Sequence, residues 1–561
     1  MCDADITGGR RPDAPHGLLY PLHDHLMKKT LTLLAHRACA VSLAATFALA
    51  GALPSAHAGL LDNASLSWTY QHSANGGFLS EIVSFDATRN ELWVSGVTGI
   101  DILHARTGAF IERIDVSAYG FVNSVTIHNG VAALAIENKA NRELPGVVQT
   151  WQTASRTLSA SYTVGALPDM LTFTPDGRKL LVANEGTPNN STTGATGAGV
   201  HYGSLTSPAG SFPRSYGSNP LDPAGSVSII DLASGAVTTS TNLETALRTG
   251  SHLRTNTGMN FEPEYIAVNA AGTKAYVTLQ EANGMGVLDI ASGQFEKVVG
   301  LGAKDFSAPG NRIDPKNDST QTNNRIELVS VNAKGLYMPD GIATYQRAGK
   351  TYLVMANEGD FREDDADRSP AANVDPSLTG TLLSNLRVSN TDSSPGNLYV
   401  AGARSFSIRD GDGNLVFDSG EILDREAIAL GLYDDGRSRD KGVEPEGVEL
   451  MDIGGRTFAF IGLERTTQAA VAVFDITDPY QVSFVRMLVA DGSRSPEGLK
   501  GFRMGDDYYL ALSNEVTNTT AVFYLATATA PVPEPEVYAL MAAGLLVVGL
   551  AARRRARARS C

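Results

Sequence analysis

The feature that most constrains the fold is an internal repeat. Five segments share one order: an acidic residue beside Pro, an apolar strand, a turn, a second apolar strand, and Asn-Glu or a close equivalent. The first and last acids of these segments are Asp169 and Glu185, Glu264 and Glu281, Asp340 and Glu358, Glu446 and Glu464, and Glu497 and Glu515. Two weaker copies begin at Glu81 and Asn123. Seven related units predict a repeat architecture rather than unrelated domains.

Each unit continues with further short apolar strands, as in residues 225–235 and 284–293. Four short strands separated by turns rich in Gly, Asn and Asp are typical of a propeller blade. The last unit lacks its fourth strand, which we expect residues 64–73 to supply, so that no sheet edge stays open. The sequence therefore predicts an all-β, seven-bladed β-propeller over residues 59–530. A two-domain sandwich arrangement is the alternative.

Three long insertions interrupt the units, at about residues 186–224, 303–325 and 361–396. In an up-and-down blade, the connections that contain them leave the same face of the disc. We therefore expect all three insertions to crowd one mouth of the ring.

The same topology places both acids of each hairpin at this mouth, around one channel. Crowded carboxylates must be offset by bound cations, by raised pKa values or by hydrogen bonds. Oxygen ligands without Cys or clustered His favour Ca²⁺ or Mg²⁺. The candidate metal ligands are Asp169, Glu185, Glu264, Glu281, Asp340, Glu358, Asp360, Glu446, Glu464, Glu497 and Glu515. Two alternatives remain: the Glu and Asn side chains lock neighbouring blades together, or the acids bind a polar ligand.

A second calcium candidate has an EF-hand-like spacing of oxygen ligands. Its residues are Asp410, Asp412, Asn414, Asp418 and Glu421. Leu415 stands where an EF-hand needs Gly, and the flanking segments are predicted strands rather than helices. A β-hairpin turn is the alternative.

The N-terminal segment predicts export. Lys28 and Lys29 precede an apolar run that ends at Ala56-His57-Ala58, a small-x-small cleavage pattern for signal peptidase. Residues 1–58 are therefore predicted to be an extension and a signal helix, with Met27 as an alternative start. The predicted mature protein begins near Gly59.

The C-terminal segment, residues 531–561, combines Pro533-Glu534-Pro535, an apolar run from Val537 to Ala552 and five arginines. The apolar run, sixteen residues long, is close to the length that spans a bilayer, and the arginines favour a cytoplasmic end. This layout resembles the PEP-CTERM sorting signal of Gram-negative bacteria. The resemblance implies an exosortase-type sorting enzyme as a partner and a transient transmembrane anchor. A permanent anchor is the alternative.

Composition excludes several classes of function. The formal net charge is −15, and both ends are basic relative to the body, so an acidic body repels nucleic acid. The cysteines, Cys2, Cys39 and Cys561, all lie in the removable ends, which excludes thiol chemistry in the body. The sequence contains no GxSxG, Walker or HExxH motif.

Four strings, at residues 167–186, 262–284, 402–420 and 442–450, resemble the choice-of-anchor I family. The resemblance implies a surface or secreted propeller related to mesenchyme-specific cell surface glycoproteins. Some members are labelled alkaline phosphatases or carry a metallophosphatase domain, which this sequence is not predicted to contain.

Two functions follow as hypotheses. One is a surface propeller that binds an extracellular polysaccharide or surface partner at its acidic mouth. The other is a Ca²⁺-dependent phosphoesterase of the propeller-phytase kind. For the second, the candidate phosphate-binding residues are Arg254, Lys304, Arg362 and Arg465.

Overall fold

The computed structural model describes residues 59–73, 77–188, 223–255, 260–317, 326–361 and 367–527. The predicted cleavage residues Ala56 and Ala58 and the sorting residues Pro533, Glu534 and Pro535 lie outside these ranges. The predicted apolar helix at 537–552 also lies outside them. Within these ranges, no helix is both long and apolar enough to cross a membrane.

The described chain is built almost entirely of strands. The strands up to residue 301 are β1 (Ser65–Gln71), β2 (Ser80–Asp86), β3 (Glu91–Gly96), β4 (Gly99–His104), β5 (Phe110–Asp115), β6 (Val122–His128), β7 (Val131–Ile136), β8 (Pro145–Gln152), β9 (Thr157–Ala166), β10 (Pro168–Phe173), β11 (Lys179–Asn184), β12 (Ser226–Asp231), β13 (Val237–Thr239), β14 (Leu247–Ser251), β15 (Ile266–Val268), β16 (Lys274–Leu279), β17 (Gly284–Asp289) and β18 (Gln294–Leu301). The later strands are β19 (Ala303–Asp305), β20 (Lys334–Leu336), β21 (Ile342–Arg347), β22 (Lys350–Asn357), β23 (Arg368–Pro370), β24 (Arg387–Ser389), β25 (Tyr399–Val400), β26 (Ser405–Asp410), β27 (Leu415–Asp418), β28 (Pro445–Ile453), β29 (Arg456–Leu463), β30 (Ala469–Asp475), β31 (Ser483–Ala490), β32 (Pro496–Met504), β33 (Asp507–Asn514) and β34 (Thr519–Thr527). The helices are α1 (Ala371–Val374), α2 (Ile422–Ala429) and three 3-10 turns at Leu243–Thr245, Pro376–Leu378 and Asp435–Arg437.

Most of these strands belong to antiparallel sheets of four strands joined in chain order. The large sheets are β2-β3-β4-β5, β6-β7-β8-β9, β10-β11-β12-β13, β15-β16-β17-β18, β21-β22-β26-β27, β28-β29-β30-β31 and β32-β33-β34-β1. The first strands of successive sheets contact one another, and β32 contacts β2. This all-β arrangement is that of a β-propeller, as the sequence predicts.

The predicted role of the N-terminal strand is confirmed. Strand β1 pairs antiparallel with β34, with Ser65 opposite Tyr524 and Gln71 opposite Thr519. The last sheet is therefore completed by residues from the beginning of the described chain, and β34 has no open edge.

Strand β14 and helix α2 are among the elements that were not predicted. Strand β14 adds to β18 in parallel and makes a five-stranded sheet, in which all five residues of β14 are exposed. Helix α2 follows β27 and packs Leu423 and Ala427 into the core of that sheet. Neither belongs to the repeat, so the strand pattern that predicts the sheets contains no signal for them.

The hydrophobic cores lie between neighbouring sheets. Strand β30 is buried at every position, because sheets pack against both of its faces. Strand β22 is buried at all but its first two residues, whereas in strand β1 half-buried and exposed residues alternate from Trp68 to Gln71. The sequence therefore reads as apolar runs in some strands and alternation in others.

The described parts of the second and third insertions share a small core of their own. Strand β20 pairs with β19 from the second insertion and with β25 beyond the third. Phe306 and Ile313 pack with Ala371, Leu386 and Val388. The expectation that insertions gather is confirmed for these two. Residues 189–222 of the first insertion lie outside the described ranges.

Candidate acidic site

The first acid of several repeats lies in a β-bulge. The register of β10 against β11 shifts between Pro168 and Leu171, and Asp169 lies inside the shift. The same shift contains Glu446 in β28 and Glu497 in β32. A bulge interrupts the alternation of side chains and re-aims the extra residue. These acids are thereby turned toward the common centre.

The residue before the Pro is held in a left-handed conformation in four repeats. Leu167, Met338, Glu444 and Ser495 have φ angles of 47°, 44°, 51° and 56°. Such angles are unfavourable for residues other than Gly and concentrate at functional sites.

That conformation sets the second acid beside the first. The carbonyl oxygens of Leu167, Glu444 and Ser495 each accept a hydrogen bond of 2.9 Å from a backbone N–H, and the donors are those of Glu185, Glu464 and Glu515. The hairpin geometry expected from the repeat is therefore fixed by the backbone itself.

The acids surround a cavity of about 610 Å³, which we call the acidic cavity. All eleven predicted metal candidates line it: Asp169, Glu185, Glu264, Glu281, Asp340, Glu358, Asp360, Glu446, Glu464, Glu497 and Glu515. Its lining also contains the acids Glu81, Glu262 and Glu444 and the basic residues Arg368, Arg437, Lys441 and Arg465. Sequence reasoning named Glu81 as the head of a weaker repeat and Arg465 as a phosphate candidate, and missed the other five.

Burial and mutual repulsion make these carboxyl groups hard to ionise. Burial is the main cause, and neighbouring carboxylates add to it. Together they raise the pKa of Asp169 to about 7, that of Glu81 to about 8 and that of Glu281 to about 8. The same causes raise the pKa of Asp340 and Glu446 well above the usual range. In the absence of a cation, the cavity therefore retains protons at neutral pH.

Two groups of three carboxylates are compact enough to hold a metal ion. Cluster A consists of Asp340, Glu358 and Glu446, and cluster B of Glu358, Glu444 and Glu464. In each cluster, one ligand atom per residue lies within 4.8 Å of the others. Glu358 belongs to both, so the clusters adjoin.

Cluster A has little internal compensation. Asp340 is only 9% exposed, and its carboxyl group hydrogen-bonds with another carboxyl group, that of Glu446. The Glu446 carboxylate hydrogen-bonds with the carboxyl groups of Asp340 and Glu497, which requires shared protons or a cation. Glu358 is the member of the cluster that donors hold, because Gln280 Nε2 lies 2.8 Å from its Oε2 and the Lys441 ammonium lies 2.6 Å from its Oε1.

Cluster B is neutralised by basic side chains. The Lys441 ammonium lies 2.6 Å from Glu358 and 3.1 Å from Glu444, and Arg465 lies 2.7 Å from Glu464. Burial opposes the charge of Lys441, but Asp360, Glu358 and Glu444 raise the pKa of its ammonium well above the usual value. Burial also raises the pKa of Glu444, but Lys441 and Arg437 outweigh it and lower that pKa.

The Asn residues of the repeat have a different role from the acids that follow them. Asn184 is fully buried, and its Oδ1 accepts a hydrogen bond of 3.0 Å from Gly165 N in the preceding sheet. Asn357 is equally buried and hydrogen-bonds with Ser405 and Ser407. Asn184 therefore joins neighbouring sheets, as the packing alternative predicts, whereas Asn357 hydrogen-bonds within its own sheet. The Glu that follows each Asn lines the cavity.

The EF-hand-like residues do not converge on one point. Asp410 Oδ1 accepts hydrogen bonds from the backbone N–H groups of Asp412 and Asn414, as in a hairpin turn between β26 and β27. Asp412 pairs with a lysine at 2.7 Å, Asp418 with another at 2.8 Å, and Glu421 binds Arg312. The hairpin alternative describes this segment.

The predicted phosphate-binding residues are dispersed. Of the three that the structure describes, Arg465 lines the acidic cavity. Arg254 and Lys304 are buried and paired with Asp392 and Asp418. Arg362 lies outside the described ranges.

The fold and the cavity define a β-propeller protein with an acidic central site. The chain belongs to the choice-of-anchor I domain family, whose model matches residues 81–479, more than half of the sequence. Membership makes it an exported or surface-associated protein.

Among solved structures, the hydrazine synthase of Kuenenia stuttgartiensis is similar. The alignment has 12% identity and a TM-score of 0.42, and covers 80% of this chain and 96% of that one. No curated protein matches the sequence.

Proposed function

We propose that this surface-associated β-propeller binds one or more divalent cations, with Ca²⁺ as the fitting ion, in its acidic cavity. The observation that carries the proposal is cluster A, where three carboxylates meet and the buried Asp340 hydrogen-bonds with another carboxyl group, that of Glu446. A cation there removes the repulsion that otherwise has to be relieved by protonation.

The ligand chemistry favours a hard cation. Every candidate atom in cluster A is a carboxylate oxygen, which suits Ca²⁺ and Mg²⁺ rather than zinc or copper. Glu497 lies beside Glu446 and offers a further oxygen. Gln280 orients Glu358, as residues around metal sites commonly orient their ligands.

The cation provides a contact point for a ligand at the mouth of the propeller. A cavity of about 610 Å³ exceeds what a single ion needs, and the third insertion borders it through Phe361 and Arg368. We propose that an extracellular polysaccharide or a surface partner reaches the ion there.

The finer architecture belongs to the same proposal. Seven blades are supported by the seven repeats and by the closed succession of first strands. A signal peptide ending at Ala58 and a PEP-CTERM-type tail at 531–561, processed by signal peptidase and an exosortase, would deliver the propeller to the cell surface.

Melting curves with Ca²⁺ and with EDTA test the cation site. Saturating Ca²⁺ stabilises the protein by about 2.7 kcal/mol at a hundredfold excess over Kd, so EDTA lowers the melting temperature. Glu446→Gln removes a ligand and blunts this difference. Glu449→Gln is the matched control, because Glu449 lies in the same strand as Glu446 but pairs with Lys500 outside the acidic cavity. Identical melting of the unmodified protein in both buffers refutes the site.

A Ca²⁺-dependent phosphoesterase is the second candidate. Arg437, Lys441 and Arg465 line one side of the cavity, where a phosphate would meet both metal and cations. Against this, all three are paired with carboxylates. Assays of phosphate esters with and without Ca²⁺ decide between them, since only the enzyme releases phosphate.

A further inference from the structure

Lys441 stands out because its charge is buried inside the acidic cavity. Its side chain is 6% exposed, and its ammonium lies 2.6 Å from Glu358 Oε1, 3.1 Å from Glu444 Oε2 and 3.2 Å from Asp360 Oδ2. Three carboxylates around one ammonium form the environment that a bound cation would have.

These contacts use the oxygens that a metal in cluster B would need. Lys441 binds two of the three carboxylates of that cluster, those of Glu358 and Glu444, and Arg465 binds the third, that of Glu464. Arg437 adds a second contact to Glu444 at 2.5 Å. Each carboxylate of cluster B therefore has a basic partner, whereas in cluster A the contact with Lys441 is made by Glu358.

The loop that carries Lys441 is held in place independently of the cavity. The buried Arg404 donates hydrogen bonds to the carbonyl oxygens of Ser438 and Asp440, at 2.5 and 3.1 Å. Gly442 has a φ of +71°, and a Cβ at this position would lie 2.9 Å from Asp424 Oδ1. The position of the ammonium is thus set by the fold rather than by the carboxylates alone.

We infer that Lys441 is a built-in counter-ion that permanently fills the second cation position, so that the cavity accepts one divalent ion rather than an adjacent pair. The inference rests on the proposed cation site. It also bears on the phosphoesterase alternative, because two-metal hydrolysis requires ions roughly 3.5–4 Å apart. Clusters A and B adjoin because they share Glu358, and Lys441 contacts Glu358 and Glu444, whose oxygens a second ion would need.

The test is the number of Ca²⁺ ions bound per full-length chain, measured by equilibrium dialysis. We expect one ion for the unmodified protein, two for Lys441→Met and one for Lys441→Arg, which keeps the charge. Lys500→Met is the matched control, because Lys500 pairs with Glu449 outside the acidic cavity. It is expected to leave the number at one.

The possible outcomes distinguish the counter-ion role of Lys441 from the cation site in cluster A on which it rests. One ion in both the unmodified protein and Lys441→Met overturns the counter-ion role and keeps the cation site. No ion in the unmodified protein but one in Lys441→Met overturns the site in cluster A and supports the counter-ion role. No ion in either overturns both. Two ions in the unmodified protein overturn the inference even if Lys441→Met fails to fold.

Discussion

At the scale of single residues, the Asn and the Glu that end the repeat have different roles. Asn184 ends a buried strand, and its amide bridges to Gly165 in one sheet and to Ser226 and Ser228 in its own. Glu185, the next residue, lines the acidic cavity. A buried amide with hydrogen-bond partners stabilises the fold, whereas ionised carboxylates buried side by side destabilise it by electrostatic repulsion.

Asn184→Ala is therefore expected to lower stability without affecting cation binding. The change removes the acceptor of Gly165 N and the donor to Ser226 and Ser228, and we expect a loss of about 2 kcal/mol. Urea unfolding measures it, with Ca²⁺ and with EDTA. The same loss is expected in both buffers, and a loss confined to the Ca²⁺ buffer would contradict the division of roles.

At the scale of elements, the hairpin of each repeat was predictable and its surroundings were not. Strand period and hairpin return predict that the two acids of a repeat, such as Asp340 and Glu358, meet at one end of the blade, and all eleven acids line the cavity. Lys441 and Arg368 come from connections outside the repeat, whose paths no periodicity fixes. Glu262 and Glu444 could have been predicted as cavity residues, because each stands two residues before a repeat acid in a Glu-Pro-Glu sequence.

The bulges were also beyond the sequence pattern. Alternation alone would place Glu446 on a blade face, and the register shift between Pro445 and Val448 is what turns it inward. Where a local device overrides the strand period, the sequence indicates the residue type but not its direction.

The third insertion depends on one buried arginine. Arg254 Nε lies 2.8 Å from Asp392 Oδ2, and its Nη1 lies 2.7 Å from the carbonyl oxygen of Glu281. Its guanidinium also stacks over Phe361, 5.1 Å from the ring centroid. These contacts fasten the insertion to the rim of the cavity.

Arg254→Leu is expected to loosen the insertion more than the sheets. Breaking a buried ion pair costs about 3–5 kcal/mol, and here the loss falls on residues 367–400. Limited proteolysis in that segment should accelerate, while hydrogen exchange in β28–β34 changes little. Arg248→Leu is the control, since Arg248 is exposed and pairs with Glu244. Equal destabilisation of all sheets would contradict a local tether.

At the scale of the whole molecule, the ring is joined by polar contacts as well as by β1. His72 follows β1 and lies 2.7 Å from Asp101 in the next sheet and 2.8 Å from Thr520 in its own. The order Asp101, His72, Thr520 is that of a catalytic relay. All three are at most 2% exposed, so no substrate reaches them and their role is to join the sheets.

Asp101 makes this junction sensitive to acid. Its carboxylate accepts hydrogen bonds from Arg113 at 2.5 and 2.8 Å. Burial raises the pKa of Asp101, but the hydrogen bonds from Arg113 and His72 outweigh burial and hold it below the usual value. A lowered folded-state pKa contributes stability that is complete above the unfolded pKa of about 3.9 and is lost as pH falls through the folded pKa.

Asp101→Asn is therefore expected to reduce stability by about 2 kcal/mol at pH 7, and the gap from the unmodified protein should close below about pH 4. The cavity carboxyl groups are the same in both proteins, so their contribution cancels in the difference between the two free energies of unfolding. Denaturant unfolding from pH 3 to 8 in EDTA measures it. Burial and the nearby Asp101 carboxylate raise the pKa of Tyr70, so Tyr70 does not titrate between pH 3 and 8. A stability difference that is constant across the whole pH range would show that Asp101 stabilises the junction through packing and not through its charge.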